Sequence, residues 1–279
     1  MTSALDNQLL AMLPADDFAA LSKHFITVEF QHGESLALPG DEIRRVYFPH
    51  SGIVSFVVEV PEGDVVQTGM VGRDGVVGAA QALDDKVSIN KIVVQSPGTA
   101  SVIDRDPLRD AIRSGNGIRK IFAAHDQFFI SDIQQTAACN ALHPIEARMC
   151  RWMLRMMDLI GTDVPLTQED LAAMIGVRRT SVTEVATRLQ AHGAISYKRG
   201  HIRIENSQWL MEASCECHKA VKLNYERLFG NLLPQRVSTD RMARGPSRVA
   251  EVLQRRKQRR EHCGGAGFLV LENLDHCRD

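Results

Sequence analysis

The period of apolar and polar positions changes three times along this chain. Two short helical stretches over 3–24, parted at Pro14, place Phe18, Leu21 and Phe25 on one face. From Phe25 the period drops to two, and short β-rich runs follow at 26–30, 35–38, 46–48, 52–60, 65–71, 91–94 and 99–103. Turn signals separate them: His32-Gly33, Pro39-Gly40-Asp41, Pro61-Glu62-Gly63-Asp64 and Pro97-Gly98. Many short strands at this spacing predict a small barrel or jelly roll, with room for a helical turn or two in the small, apolar stretch 75–83. Helical period returns at Asp106-Pro107, where Asp suits the cap and Pro the first turn of a helix to about Arg113. Beyond Gly117 an apolar ladder predicts one long amphipathic helix, with Ile118, Phe122, Phe129 and Ile133 facing a second copy of the chain. Pro144 opens a further helix over 145–160, whose Met149, Trp152, Met153 and Met156 suit plain core packing.

The stretch 164–205 carries the function. Thr167 suits an N-cap, with Asp170 three residues on as in a capping box. Leu171, Met174 and Ile175 form the inner side of a short helix, and Gly176 permits the left-handed turn that ends it. Val177 plugs the elbow. A second helix from about Arg179 to His192 turns Val182, Val185, Ala186 and Leu189 inward and is closed by Gly193. Its outer face offers Arg178, Arg179, Thr180, Ser181, Thr183, Glu184 and Arg188. Helix, tight turn, helix is the arrangement that lays a second helix in a DNA major groove. Arginine there donates two hydrogen bonds to guanine, and hydroxyls reach phosphates or bases. Two β runs joined through Lys198-Arg199-Gly200 follow, a basic hairpin suited to a wing on backbone phosphate. A helical hairpin serving as core or dimer surface is the plain alternative.

Composition changes the picture in three places. With 279 residues and 44% hydrophobic content the chain builds more than one core. The net charge of −1 hides a polarity. Residues 1–113 hold 9 basic against 16 acidic side chains, whereas 231–279 hold 10 against 6, so an anionic partner meets the rear half. No apolar run reaches membrane-span length, the first residues do not read as a signal peptide, and six scattered cysteines suit reduced thiols; a cytoplasmic protein with no membrane partner is expected.

At the level of motifs the chain resembles the bacterial Crp–Fnr regulators, the cyclic-AMP receptor protein and its relatives. The carrying residues are Leu166-Thr167-Gln168-Glu169-Asp170-Leu171-Ala172, Ile175-Gly176-Val177, Arg179 with Ser181-Val182, Leu189, and Gly193-Ala194-Ile195, together with Gly33, Pro39-Gly40-Asp41 and Gly52 upstream. The likeness spans about residues 8–230. It implies an α+β architecture: a β-roll sensing domain over 1–113, a dimerisation helix over 114–142, a winged helix-turn-helix over 143–230, and a basic tail over 231–279 outside the family pattern. It further implies a homodimer on an imperfect palindrome of double-stranded DNA, and RNA polymerase as a partner. The family's base-contacting arginine matches Arg179, the glutamate beside it falls on Thr180, and the second arginine falls on Glu184, so operator sequence does not carry over. Cyclic-nucleotide binders place a glutamate in the turn that here reads Gly75-Val76-Val77-Gly78, and an arginine pair near Lys86 and Ser88, where no arginine stands. Lacking that fork the cyclic phosphate loses its strongest contacts, so another effector, or none, is expected in place of cyclic AMP.

Two further signals point elsewhere. Cys215-Glu216-Cys217-His218 has metal-ligand spacing but no second pair nearby, and no cysteine precedes Cys139, so neither a metal nor an iron–sulfur cluster is expected. His24, His32 and His50 raise a cupin-like metalloenzyme as a rival, but the paired-histidine spacing is absent. A roll that senses and acts through protein partners is the other alternative. For the tail, Arg241 to Arg260 reads as a solvated basic segment or a non-specific DNA contact.

Overall fold

The computed structural model describes residues 3–60, 65–80, 87–198 and 200–232. Lys86, Arg199 and the basic tail therefore lie outside the described residues. A 3-10 turn, Ala4–Asp6, leads into helices α1 (Gln8–Ala11) and α2 (Ala15–Ser22), parted at Pro14. Seven strands follow: β1 (Ile26–Phe30), β2 (Ser35–Ala37), β3 (Arg45–Pro49), β4 (Ile53–Glu59), β5 (Val65–Val71), β6 (Lys91–Ser96) and β7 (Gly98–Asp104). They form two antiparallel sheets, ordered β1-β7-β3 and β2-β6-β4-β5. Phe30, Val46, Phe48, Val54, Ile92, Val94 and Ile103 fill the space between them. This is the expected roll.

Helix α3 (Arg105–Ser114) begins ahead of its expected cap: Asp104 holds the cap position and Pro107 is the third helical residue. The shift costs little, because the first-turn N–H that Pro lacks has no partner within a helix. Next come α4 (Asn116–Leu142) and α5 (Ile145–Ile160), the latter burying Met149, Trp152, Met153 and Met156. The reader consists of β8 (Asp163–Val164), α6 (Gln168–Ile175), α7 (Arg179–Ala191), β9 (Ile195–Lys198) and β10 (His201–Ile204), with the three strands ordered β8-β10-β9. Helix α8 (Ser207–Ala213) completes it, and α9 (Cys217–Phe229) returns along α4 with Val221 and Phe229 in the roll's core. Among the described residues no helix is long and apolar enough to cross a membrane.

The long helix α4 corrects one expectation. Ile118 and Phe122 do not face a partner; both are buried in the roll's own core. Phe129 meets Phe56 of β4 in a tilted ring contact at 4.7 Å between centroids, and Ile133 lies against Gly69 of β5. The apolar stripe is spent within the chain because α4 covers the open end of the roll. A second face is covered by α9, through the Phe128–Tyr225 ring contact at 5.2 Å and the Asn224–Ser131 hydrogen bond at 2.9 Å. Ala123, Gln127, Ile130, Gln134, Ala137 and Ala141 form one exposed line along α4, and Asn116, Arg119, Lys120, Ala138 and Leu142 are exposed beside it.

Arginines at 148, 151 and 155 of α5 are spaced to share a face, and that face points into the molecule. Arg148 donates to the Asn140 carbonyl at 3.2 Å and to the carbonyl of Ile175, the last residue of α6. Arg151 donates to Asp132 Oδ1 and Thr136 Oγ1 of α4, each at 3.0 Å. Arg155 pairs with Asp74 of the roll at 2.7 Å. Buried cations are tolerated only when paired and hydrogen-bonded, so these three fix α5 to α4, to the reader's turn and to the roll. A further tie runs from the end of α5: Asp158 accepts from His218 at 2.9 Å and Lys222 at 3.0 Å of α9. Burial raises the Asp158 pKa, but these two partners outweigh it and hold the carboxyl below its usual value.

Candidate functional site

The capping box predicted at the reader's entrance is formed. Thr167 Oγ1 accepts from the Asp170 N–H at 3.1 Å, and Asp170 Oδ2 accepts from the Thr167 N–H at 2.8 Å. The same oxygen also takes the Thr167 hydroxyl at 2.7 Å. Thr167 thus spends its hydroxyl locally and sets where α6 starts. Gly176 ends α6 at φ +66°, ψ +48°, a left-handed conformation that side chains disfavour. The turn it permits throws α7 off at an angle, with Val177 packed in the elbow and Val182, Val185, Ala186 and Leu189 buried.

The outward face of α7 holds most of the expected residues. Arg178, Arg179 and Thr180 are exposed at its N-terminal end, and Ser181 is half-buried. Arg179 has only a loose ion pair with Glu169, 3.9 Å away, and is free to reorient. Three others are already engaged. The Thr183 hydroxyl lies 2.8 Å from Gln168 Oε1 and 3.0 Å from the Arg179 carbonyl, so it looks toward α6. Arg188 pairs with Glu146 of α5 at 2.9 Å. Glu184 lines a groove with Ser181, Arg188, Glu146 and Ala213. The face therefore divides: Arg178, Arg179 and Thr180 at the tip are presented outward, whereas Ser181, Glu184 and Arg188 look along α5. On the wing, Lys198 is exposed and pairs across the hairpin with His201. Sequence reasoning missed exposed His201 and Thr187, and missed Gln168 as a partner of α7. The first two were findable from their place on the hairpin and the helix period; the third needed the angle between the helices.

The turn 75–78 is built differently. Val76, where a cyclic-nucleotide binder carries its glutamate, is buried in the roll core. Its N–H donates to His125 Nε2 of α4 at 3.3 Å, and a Cβ on Gly75 would stand 2.6 Å from that nitrogen. Val77 exchanges both backbone hydrogen bonds with Tyr47, at 3.0 and 2.9 Å. Val77 and Gly78 line a small cleft with Glu42, Arg44 and Tyr47. Ser88 donates its hydroxyl to the Asn90 carbonyl at 2.6 Å and is buried. Val76, Val77 and Ser88 thus spend these polar groups inside the chain, and His125 of α4 lies against Gly75 and Val76. Of the roll histidines, His32 bonds to the Gln95 carbonyl at 2.7 Å and His50 to Ser101 Oγ at 2.8 Å. Among the described residues they belong to no group able to hold a metal.

Reader and roll touch directly. Helix α6 packs on β5, where Val66 lies opposite Gly176. A cleft of about 200 Å³ between them is lined by His32, Ser55, Gln67 and Lys91 from the roll and by Asp170 and Met174 from α6.

Comparisons with known proteins match both halves. A model of the cyclic nucleotide-binding domain matches residues 27–114, and one of the Crp-like helix-turn-helix domain matches 147–213, together more than half of the chain. No curated protein sequence matches. Among solved structures, FixK2 from Bradyrhizobium japonicum has 13% identity and a TM-score of 0.60, over 68% of this chain and 98% of that one. A CRP-family transcriptional regulator from Thermus thermophilus has 19% identity and a TM-score of 0.57, over 67% and 96%. The c-di-GMP responsive regulator CLP from Xanthomonas campestris has 17% identity and a TM-score of 0.56, over 68% and 99%. These structures share the fold. With the roll, the long helix and the winged reader in this order, and with both domain models matched, the chain belongs to the Crp–Fnr family of DNA-binding transcription regulators.

Proposed function

We propose that the protein acts in the cytoplasm as a homodimer that binds an imperfect palindrome, under the control of an effector other than cyclic AMP. The observation that carries the dimer is the exposed face of α4. Ala123, Ile130 and Ala137 recur every seven residues, and so do Gln127, Gln134 and Ala141, giving alternating steps of four and three. That is the spacing of a two-helix seam, with small residues allowing close approach and Ile130 as the apolar knob. A twofold axis along it sets two α7 tips about 34–36 Å apart, one on each half-site. Arg178, Arg179 and Thr180 read bases there, while Lys198 and Arg199 of the wing hold phosphate. RNA polymerase is the partner such a regulator meets once bound.

The effector reading rests on the turn 75–78, where valine stands in place of the glutamate and the Val76 N–H is taken by His125, and on the absence of an arginine at 86–88. Coupling from roll to reader runs through the α6–β5 contact and the Arg148–Ile175 bond: a ligand favouring one arrangement of the roll shifts the population of reader positions. Sedimentation and footprinting of the Ile130→Glu variant test the dimer. The wild type is expected to sediment as a dimer and protect two half-sites, and the variant to sediment as a monomer with weak protection. A monomeric wild type protecting one isolated half-site would overturn the proposal.

A further inference from the structure

The long helix ends in Cys139 and His143, four residues apart and so on one face of its last turn. His143 closes α4, its N–H donating to the Cys139 carbonyl at 3.1 Å. Far along the chain, Cys215 and Cys217 bracket the start of α9. Because α9 lies back along α4, the two pairs meet. Cys139 Sγ stands 3.5 Å from Cys215 Sγ, and Cys217 Sγ stands 3.5 Å from His143 Nδ1. All four ligand atoms lie within 4.8 Å of one another. No second pair stands near Cys215 in the sequence, but the fold brings one to it, Cys139 and His143.

Spacing and surroundings suit one tetrahedral ion. Thiolates at about 2.3 Å from zinc lie about 3.8 Å apart along a tetrahedron edge, close to the separations found. An iron–sulfur cluster holds its cysteines farther apart than a single ion does. A Cys139–Cys215 disulfide would leave Cys217 and His143 unexplained. The three thiols are buried, and Cys217 is the first residue of α9. Gln135 Nε2 donates to Cys217 Sγ at 3.0 Å, and His143 Nε2 faces Glu216 Oε1 at 3.5 Å, so sulfur and imidazole each have a supporting partner.

We propose that Cys139, His143, Cys215 and Cys217 bind one zinc ion, which rivets the end of α4 to the start of α9 at the joint between roll and reader. The ion adds a tie across the α4–α5 bend, where His143 and Pro144 are the only residues between helices. Binding displaces the thiol protons to solvent, so affinity rises with pH.

Metal analysis of the full chain, purified reduced and without chelator, tests this. One zinc per chain is expected, with X-ray absorption showing three sulfurs at about 2.3 Å and one nitrogen at about 2.0–2.1 Å. The Cys215→Ser/Cys217→Ser double variant should lose at least roughly nine-tenths of the metal, as expected when half the ligands go. Should that variant not fold, Gln135→Ala keeps every ligand and should weaken zinc about 10–100-fold in competition with a chromophoric chelator. Reduced wild-type chain that neither carries metal nor takes up zinc(II) or cobalt(II) would overturn the proposal. So would full metal content in the double variant.

Discussion

At the roll's turn 75–78 the side chains point inward, and His125 of the long helix closes over the backbone. At the start of α7 three consecutive side chains, Arg178, Arg179 and Thr180, stand out from the surface with at most a loose ion pair to hold them. Both places sit on a well-formed scaffold, with glycines where the backbone must turn and apolar residues where it must pack. The difference lies in what a distant segment brings to each. The long helix fills the first place, and among the described residues nothing covers the second. Whether a conserved shape is also a usable site is settled by the neighbours that arrive from elsewhere in the chain.

The strongest way to break this contrast is to restore the acid at the turn. Val76→Glu would put a carboxylate among apolar neighbours beside His125, and an uncompensated buried charge costs about 3–5 kcal/mol. A fall of that size in unfolding free energy, read from urea titration, is expected, with no stabilisation by cyclic AMP. A variant as stable as the wild type whose melting temperature rises with cyclic AMP would show that the turn is an open ligand site after all.

A smaller effect is expected at the reader. Arg179→Ala should weaken operator binding by about 1–3 kcal/mol, the worth of a bidentate base contact, and leave binding to random DNA nearly unchanged. Titrations on both DNAs decide it, since equal losses would mean that Arg179 touches only phosphate. The smallest effect sharpens what the scaffold itself contributes. Gly176→Ala forces a side chain into a left-handed turn and should cost about 1–2 kcal/mol. The new Cβ would lie 3.4 Å from Val66 Cγ2, an ordinary contact, so the loss should be backbone strain. Adding Val66→Ala should then leave the loss unchanged in thermal unfolding, whereas rescue would trace it to the contact with the roll.

How much of this was legible in the sequence follows from how local each feature is. The reader was legible because Thr167, Asp170, Gly176 and the inward ladder from Leu171 to Leu189 all act within one short stretch. The roll's strands were legible from alternation and turn residues. The outward line of small and polar residues on α4 was not, since Ala and Gln carry little hydrophobic signal, while the louder stripe of Ile118, Phe122 and Phe129 belonged to the chain's own core. Nor was the meeting of Cys139 with Cys215, separated by 76 positions, or the lid formed by His125 over Gly75. Such features depend on where α9 and α4 come to rest, and no period in the sequence records that.

The arginine face of α5 has a consequence for anyone who would cut this protein into modules. A fragment beginning at residue 143 would look like a complete DNA-binding domain, yet Asn140, Asp132, Thr136 and Asp74 would all stay behind. Arg151 and Arg155 would lose the acidic partners that hold them, and Arg148 would keep only the carbonyl of Ile175. The recognition helix would then hang from a strut bearing cations with no counter-charge. The true seam for dissection, swapping or fusion lies beyond the end of α9, not between sensor and reader.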